Sequence, residues 1–153
     1  MESRLDLSAT VADIVAVSGP RRLSTVAPGA AVPAIIKAFA GAEHARLVYV
    51  VSADQQLIGV ISLGNLVQHL LFHHSGKAVD NLHLISMATS ETALDFIDRP
   101  VITARLDETV EVVLERMLAA DIKEIPVLNE AAQVVADLTL VDIMHRCTRD
   151  ILS

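Results

Sequence analysis

Two segments of the chain end an apolar run in the same way. "GVISLGN" (Gly59 to Asn65) and "ADLTLVD" (Ala136 to Asp142) put Ser62 where Thr139 stands and Asn65 where Asp142 stands. Self-similarity of this kind constrains a fold more than any single motif, because each copy must make the same supersecondary unit. The copies extend well upstream. "GAAVPAIIKAFA" places Val32, Ile35, Ile36, Phe39 and Ala40 at i, i+3, i+4, i+7 and i+8. "DETVEVVLERML" places Val110, Val113, Leu114, Met117 and Leu118 at the same intervals, 78 residues on. Each set is the apolar stripe of an amphipathic helix.

Two short Val- and Ile-rich runs follow each helix. They are "RLVYVV" and "QLIGVI" around "SADQ", then "KEIPVL" and "QVVADL" around "NEAA". Runs of this length, bounded by turn residues, read as hairpin strands. Their offset is 77, so the first copy holds one extra residue near Gly41. A short extended piece, "LSTV" or "VITA", precedes each first helix, and a second helix starts at Ser62 or Thr139. The expected unit is β-α-β-β-α. Ser86 to Asp98 is expected to add a helix leading into the second unit, with Ser8 to Val17 as its counterpart in the first.

The fold class is therefore α/β (α+β), with a first repeat at 8–74, a linker at 75–88 and a second repeat at 89–152. A half-size unit buries too little apolar surface alone, so the two are expected to pack about a pseudo-twofold axis and leave two related clefts. The content is 52% hydrophobic but only 3% aromatic, and the net charge is -7. This excludes a basic or stacking surface for nucleic acid. No apolar run approaches the roughly 18 residues of a membrane span. The N-terminal "MESRLDLSAT" lacks a basic leader followed by an apolar core, and the single Cys147 cannot form an internal disulfide, so a reducing cytoplasm is expected.

The assembled motifs resemble the CBS-domain family, and the chain looks like one tandem pair, a Bateman module. "PVITARLDETVEVVLERML", "IKEIPVL" and "DLTLVDIM" carry the resemblance, which runs from about Ala12 to Leu152. It implies a regulatory module whose clefts bind an adenosyl nucleotide: AMP, ADP, ATP or S-adenosylmethionine. The residues implied in the second repeat are Thr103, Lys123, Ile125, Pro126, Thr139 and Asp142. Those in the first are Thr25, Arg46, Val48, Ser62 and Asn65, a weaker set because an amide replaces the acid. In this scheme Asp142 takes the ribose hydroxyls, Thr139 lies near sugar and phosphates, and the strands sandwich the adenine. Lys123 and Arg46 stand at equivalent positions and can supply positive charge. Ala136-Asp137, where the family usually has Gly, departs from the pattern.

Each feature also has a structural reading. Thr139 with Asp142 is close to a capping box, which orients the acid without requiring a ligand. His69 and His73 have the i, i+4 spacing of a shared metal. No cysteine or evident carboxylate completes a set, so they read as exposed linker histidines and no metal site is expected. No Gly-rich phosphate loop, His-Glu-x-x-His or nucleophile elbow is present, so no enzyme activity is expected. Signalling would then pass through an unknown protein target or through self-association. A homodimer is expected through Leu140, Val141, Ile143 and Met144. The rival expectation is a structural or dimerisation module with no small-molecule ligand.

Overall fold

The computed structural model describes residues 7–18, 23–41, 46–72, 91–98 and 101–148. The chain forms two compact units, one from residues 22–101 and one from residues 1–21 with 102–153. In the first, β1 (Thr25–Val26), α2 (Val32–Ala40), β2 (Leu47–Val51), β3 (Leu57–Ser62) and α3 (Leu63–Phe72) follow in order. The second repeats them as β4 (Ala104–Arg105), α4 (Val110–Ala119), β5 (Glu124–Leu128), β6 (Val134–Thr139) and α5 (Leu140–Cys147). The mixed α/β character and the doubled strand-helix-strand-strand-helix unit are as expected.

Each sheet has three strands in the order β1-β2-β3 or β4-β5-β6, with a parallel first pair and an antiparallel second. The hairpin turns match in detail. Ser52 N–H donates to the Gln56 carbonyl at 2.9 Å, and Asn129 N–H to the Gln133 carbonyl at 3.1 Å. Gln55 and Ala132 both take the left-handed conformation, with φ of 66° and 60°. Register shifts at Val50/Val51 and Val127/Leu128 show the same bulge in each hairpin.

The helical stripes are narrower than their spacing suggests. Val32, Ile35 and Phe39 are buried on α2, and Val110, Val113 and Met117 on α4, whereas Ile36 and Leu118 are exposed. At about 100° per residue, Leu118 at i+8 has drifted about 80° from Val110 and leaves the core face, and Ile36 at i+4 already lies at the edge of its stripe. Pro33 lies in the first turn of α2, where its missing N–H costs nothing, and the Thr109 hydroxyl caps α4 by accepting from Val112 N–H.

The segments preceding the repeats pack against the expectation. Helix α1 (Val11–Ser18) belongs to the second unit: Val11 and Ile14 join Val110, Val113, Met117 and Ile125 in its core. Thr10 bridges Thr109, and Val110 N–H donates to the Ala9 carbonyl at 2.8 Å. Conversely, Ala93 and Phe96 join Ile35, Val48 and Ile61 in the core of the first unit. Within 86–98 the described residues form only a 3-10 turn at Ala93–Phe96, with Thr92 bridged to Ala31 and Asp98 to Val60. Residues 86–90 lie outside the described residues, as do the linker 75–88 and Leu152.

The same local signal builds both segments. "SATVADI" (Ser8 to Ile14) and "SETALDF" (Ser90 to Phe96) share Ser-x-Thr-apolar-x-Asp-apolar. In each, the backbone N–H of the threonine donates to the aspartate, Thr10 to Asp13 at 3.0 Å and Thr92 to Asp95 at 2.8 Å. The second segment leaves the helical path because Ile97 drops onto β3 at Gly59. A Cβ at Gly59 would fall inside the van der Waals radius of the Ile97 side chain. The equivalent residue in the second repeat is Ala136, packed against the core of the second unit, and there α1 continues as helix to Ser18.

Candidate ligand-binding site

In the second unit the sheet register sorts the implied residues by face. Ala104 pairs with Val127, Val127 with Ala136, and Ile125 with Leu138; these side chains point into the core. Alternation turns Pro126, Asp137, Glu124 and Thr139 to the opposite face, where Pro126 pairs with Asp137 and Glu124 with Thr139. Thr103, next to Ala104, falls on that face as well. Thus Thr103, Pro126 and Thr139 share one face, and Ile125 does not. Its side chain is fully buried in the core, so only its backbone can meet a ligand.

Thr139 and Asp142 form a complete capping box at the start of α5. Asp142 N–H donates to the Thr139 hydroxyl at 3.1 Å, and Thr139 N–H donates to the Asp142 carboxylate at 2.9 Å. The structural reading of this pair therefore holds. The box also holds the carboxylate in one orientation beside the helix N-terminus, whose partial positive charge favours anions. The Lys123 carbonyl accepts from Leu140 N–H at 3.0 Å, which ties the start of the hairpin to the start of α5. The Lys123 side chain is exposed and has no partner among the described residues.

Sequence reasoning missed a clamp beneath Thr103. Arg116 Nη1 donates to the Thr103 carbonyl at 2.7 Å and to Glu108 Oε1 at 2.9 Å, while Nη2 bonds the other carboxylate oxygen. Arg105 N–H donates to Glu108 Oε1 at 2.9 Å. The Arg116 hydrogen bond is the main reason the Glu108 carboxyl titrates below its ordinary value, against the opposing effect of burial. The same bond raises the Arg116 guanidinium. The repeat register puts Ala30 and Ala38 at the corresponding positions of the first unit, so the clamp exists once. A Glu and an Arg eight residues apart, straddling a helix start, are the signal that could have revealed it.

In the first unit Thr25 pairs with Tyr49, Tyr49 with Val60, and Leu47 with Ser62, all on the face opposite the core cluster around Val48, where Tyr49 and Val60 are themselves buried. Val48 is fully buried in the core, as Ile125 is, and so offers only its backbone. The register makes Tyr49 the counterpart of Pro126, a residue that matching Val48 to Ile125 passed over. The Arg46 side chain is exposed, and its carbonyl accepts from Leu63 N–H at 3.0 Å, as Lys123 does from Leu140.

Asn65 behaves differently from Asp142. Its N–H donates to the Ser62 hydroxyl at 3.2 Å, so half the capping arrangement remains. Its side-chain Nδ2, however, turns to the returning segment, donating to the Phe96 carbonyl at 3.1 Å and to Asp98 Oδ1 at 2.8 Å.

His69 is not the exposed linker histidine expected. Its Nε2 lies 3.3 Å from Glu91 Oε1, and its ring meets Phe96 edge-on at a centroid distance of 4.8 Å. His73 lies outside the described residues. Among the described residues, no group of three or more His, Cys, Asp or Glu is placed to hold a metal ion. Nor is any described helix long and apolar enough to cross a membrane.

A doubled β-α-β-β-α unit, each hairpin leading through a Ser/Thr cap into a helix, defines a tandem-repeat α/β protein. A family model for the CBS domain matches residues 11–71 and 93–149, and the chain belongs to the CBS-domain family. Solved structures share the fold. A CBS domain-containing protein from Thermotoga maritima superposes with a TM-score of 0.71 at 23% identity, covering 90% of this chain and 93% of that one. The CBS-domain pair of protein MJ0100, in complex with 5′-methylthioadenosine and S-adenosylmethionine, gives 0.64 at 21% identity, covering 90% and 94%. The cytosolic domain of the Mg2+ channel MgtE in complex with ATP gives 0.60 at 23% identity, covering 80% of this chain and 44% of that one. No curated protein sequence matches the chain.

Proposed function

We propose that the chain is a non-catalytic regulatory module that binds an adenosyl nucleotide on the second repeat. The supporting observation is the Thr139–Asp142 capping box, which fixes a carboxylate at a helix start next to the face that carries Thr103 and Pro126. A carboxylate accepts from two vicinal hydroxyls in charge-assisted bonds. Of the first-turn N–H groups of α5, those of Leu140 and Asp142 are already bonded, which leaves Val141 N–H and the positive helix end for a phosphate or carboxylate, with the exposed Lys123 to add charge. The family resemblance lays adenine against the first hairpin strand, here the backbone about Ile125 and Pro126, both buried in this structure. Two structurally similar proteins are in complex with ATP, or with 5′-methylthioadenosine and S-adenosylmethionine, which supports an adenosyl group as the ligand. Cys147, the single cysteine of the chain, forms no internal disulfide, which fits a reducing cytoplasm.

A ligand signals only by favouring one arrangement of the protein over another, so the output passes to a protein target or to self-association. Val141 and Met144 on α5 are 73% and 64% exposed and suit a homodimer contact. Ile143, expected beside them, is buried in the core instead. These exposed residues favour the second reading, a dimerisation module without a ligand.

Thermal-shift measurements with AMP, ADP, ATP and S-adenosylmethionine separate the two. Sensing predicts that one of them raises the melting temperature, and that Asp142→Asn abolishes the rise. No shift at millimolar concentration with any of the four would leave the dimerisation reading.

A further inference from the structure

The two repeats hold their first strands by different means. In the first, Thr25 pairs with Tyr49, and Tyr49 N–H donates to the Ser24 carbonyl at 2.9 Å. The second repeat has Pro126 in place of Tyr49 and Ile102 in place of Ser24. Proline has no N–H, so this ladder bond cannot form. Pairing accordingly begins one residue later, at Ala104 with Val127, and leaves Thr103 outside the strand. Thr103 is nonetheless the residue of this segment that falls on the face of Pro126 and Thr139.

Side chains of α4 and its leading turn bond the outer edge of the segment instead. Arg116 Nη1 donates to the Thr103 carbonyl at 2.7 Å, and Glu108 Oε1 accepts from Arg105 N–H at 2.9 Å. A residue on a neighbouring parallel strand would engage the same two groups, the carbonyl before Ala104 and the N–H after it. The Arg116–Glu108 pair, joined through both terminal guanidinium nitrogens, therefore acts as a strand one residue long. In the first repeat Ala30 and Ala38 offer neither group, and Tyr49 supplies the backbone bond.

We propose that Arg116 and Glu108 are positioning residues for the second-repeat ligand, holding Thr103 at its face in place of the ladder bond that Pro126 removes. The inference rests on the reading of the second repeat given above. Neither side chain has to touch the ligand. Without the pair, the segment before Ala104 has neither hold, and affinity falls with the fraction of time Thr103 is in place.

Calorimetric titration of the full chain with AMP, ATP and S-adenosylmethionine in turn, well below the melting temperature, tests this. For whichever probe binds, Arg116→Met should weaken binding about fivefold or more, the loss for a segment in place roughly one-fifth of the time. Pro126→Ala returns an N–H to face the Ile102 carbonyl. In that background Arg116→Met should cost less than about twofold relative to Pro126→Ala alone. A merely structural clamp would lower the melting temperature and leave the dissociation constant parental, and that result overturns the proposal. Equal losses in the two backgrounds also overturn it, since Arg116 would then act independently of the missing bond. Binding abolished by Asp142→Asn but parental in Arg116→Met overturns it while leaving the second-repeat site standing. No binding of any probe overturns both. If Arg116→Met does not fold, Glu108→Gln, which keeps an acceptor for Arg105 N–H but gives up the charge facing Arg116, is read in the same way. If Pro126→Ala does not bind, the two backgrounds are compared by melting temperature, and equal losses again overturn the proposal.

Discussion

Arg116 holds Glu108 through both terminal guanidinium nitrogens and, from Nη1, reaches the Thr103 carbonyl at 2.7 Å. One side chain on α4 thus fixes the strand that leads into its own helix. The first repeat, with Ala30 and Ala38 at these positions, leaves its equivalent strand without such a hold. The two copies share a backbone and differ in what stiffens it.

Removing the clamp should destabilise the protein modestly. The Arg116 and Glu108 side chains are 34% and 21% exposed, so solvent screening keeps the loss for Arg116→Met near about 1 kcal/mol. The pH dependence carries a definite sign. A carboxyl whose folded value lies below its ordinary value of 4.5 contributes fully above that value and loses its contribution as pH falls through the folded value. Thermal denaturation across pH should show a gap between the parent and Glu108→Gln that is constant near neutrality and closes below pH 4.5.

Gly59→Ala should cost about 1–3 kcal/mol, because the new methyl meets Ile97 and the strand cannot retreat from its neighbours. Ile97→Ala removes the opposing atoms. The double variant should therefore lose less than the sum of the singles in chemical denaturation. The mirror change Ala136→Gly should cost only about 0.5–1 kcal/mol, mainly through chain entropy.

Thr139→Ala removes the acceptor for Asp142 N–H and should cost about 1 kcal/mol. For a chain of this size that is roughly 2–4 °C in melting temperature. Thr139→Ser should be close to neutral. Ser62→Ala should cost less than Thr139→Ala, since Asn65 remains held by Phe96 and Asp98.

Much of the fold was legible because its determinants are local. The apolar spacing at Val32, Ile35 and Phe39 recurs at Val110, Val113 and Met117, and the hairpin turns recur at Ser52 and Asn129. The Thr139–Asp142 box was legible for the same reason, since a cap involves residues three apart. Side-chain direction was harder. Ile125 and Val48 are one residue from Pro126 and Tyr49, and a shift of one in a strand exchanges the faces.

By itself, the sequence determined two equal units, the strand-to-helix junctions within them, and the acid at one junction with the amide at the other. These depend on neighbours within a few residues. The tertiary structure alone decided which unit receives each flanking segment. "SATVADI" and "SETALDF" carry nearly the same pattern, and either repeat offers a helix start to bridge, Ala31 or Thr109. Packing places α1 with the second unit and Thr92–Asp98 with the first. That placement brings Asp98 to Asn65 across 33 residues of sequence. No local rule couples positions so far apart, and the meaning of the missing acid at residue 65 emerges only in the folded chain.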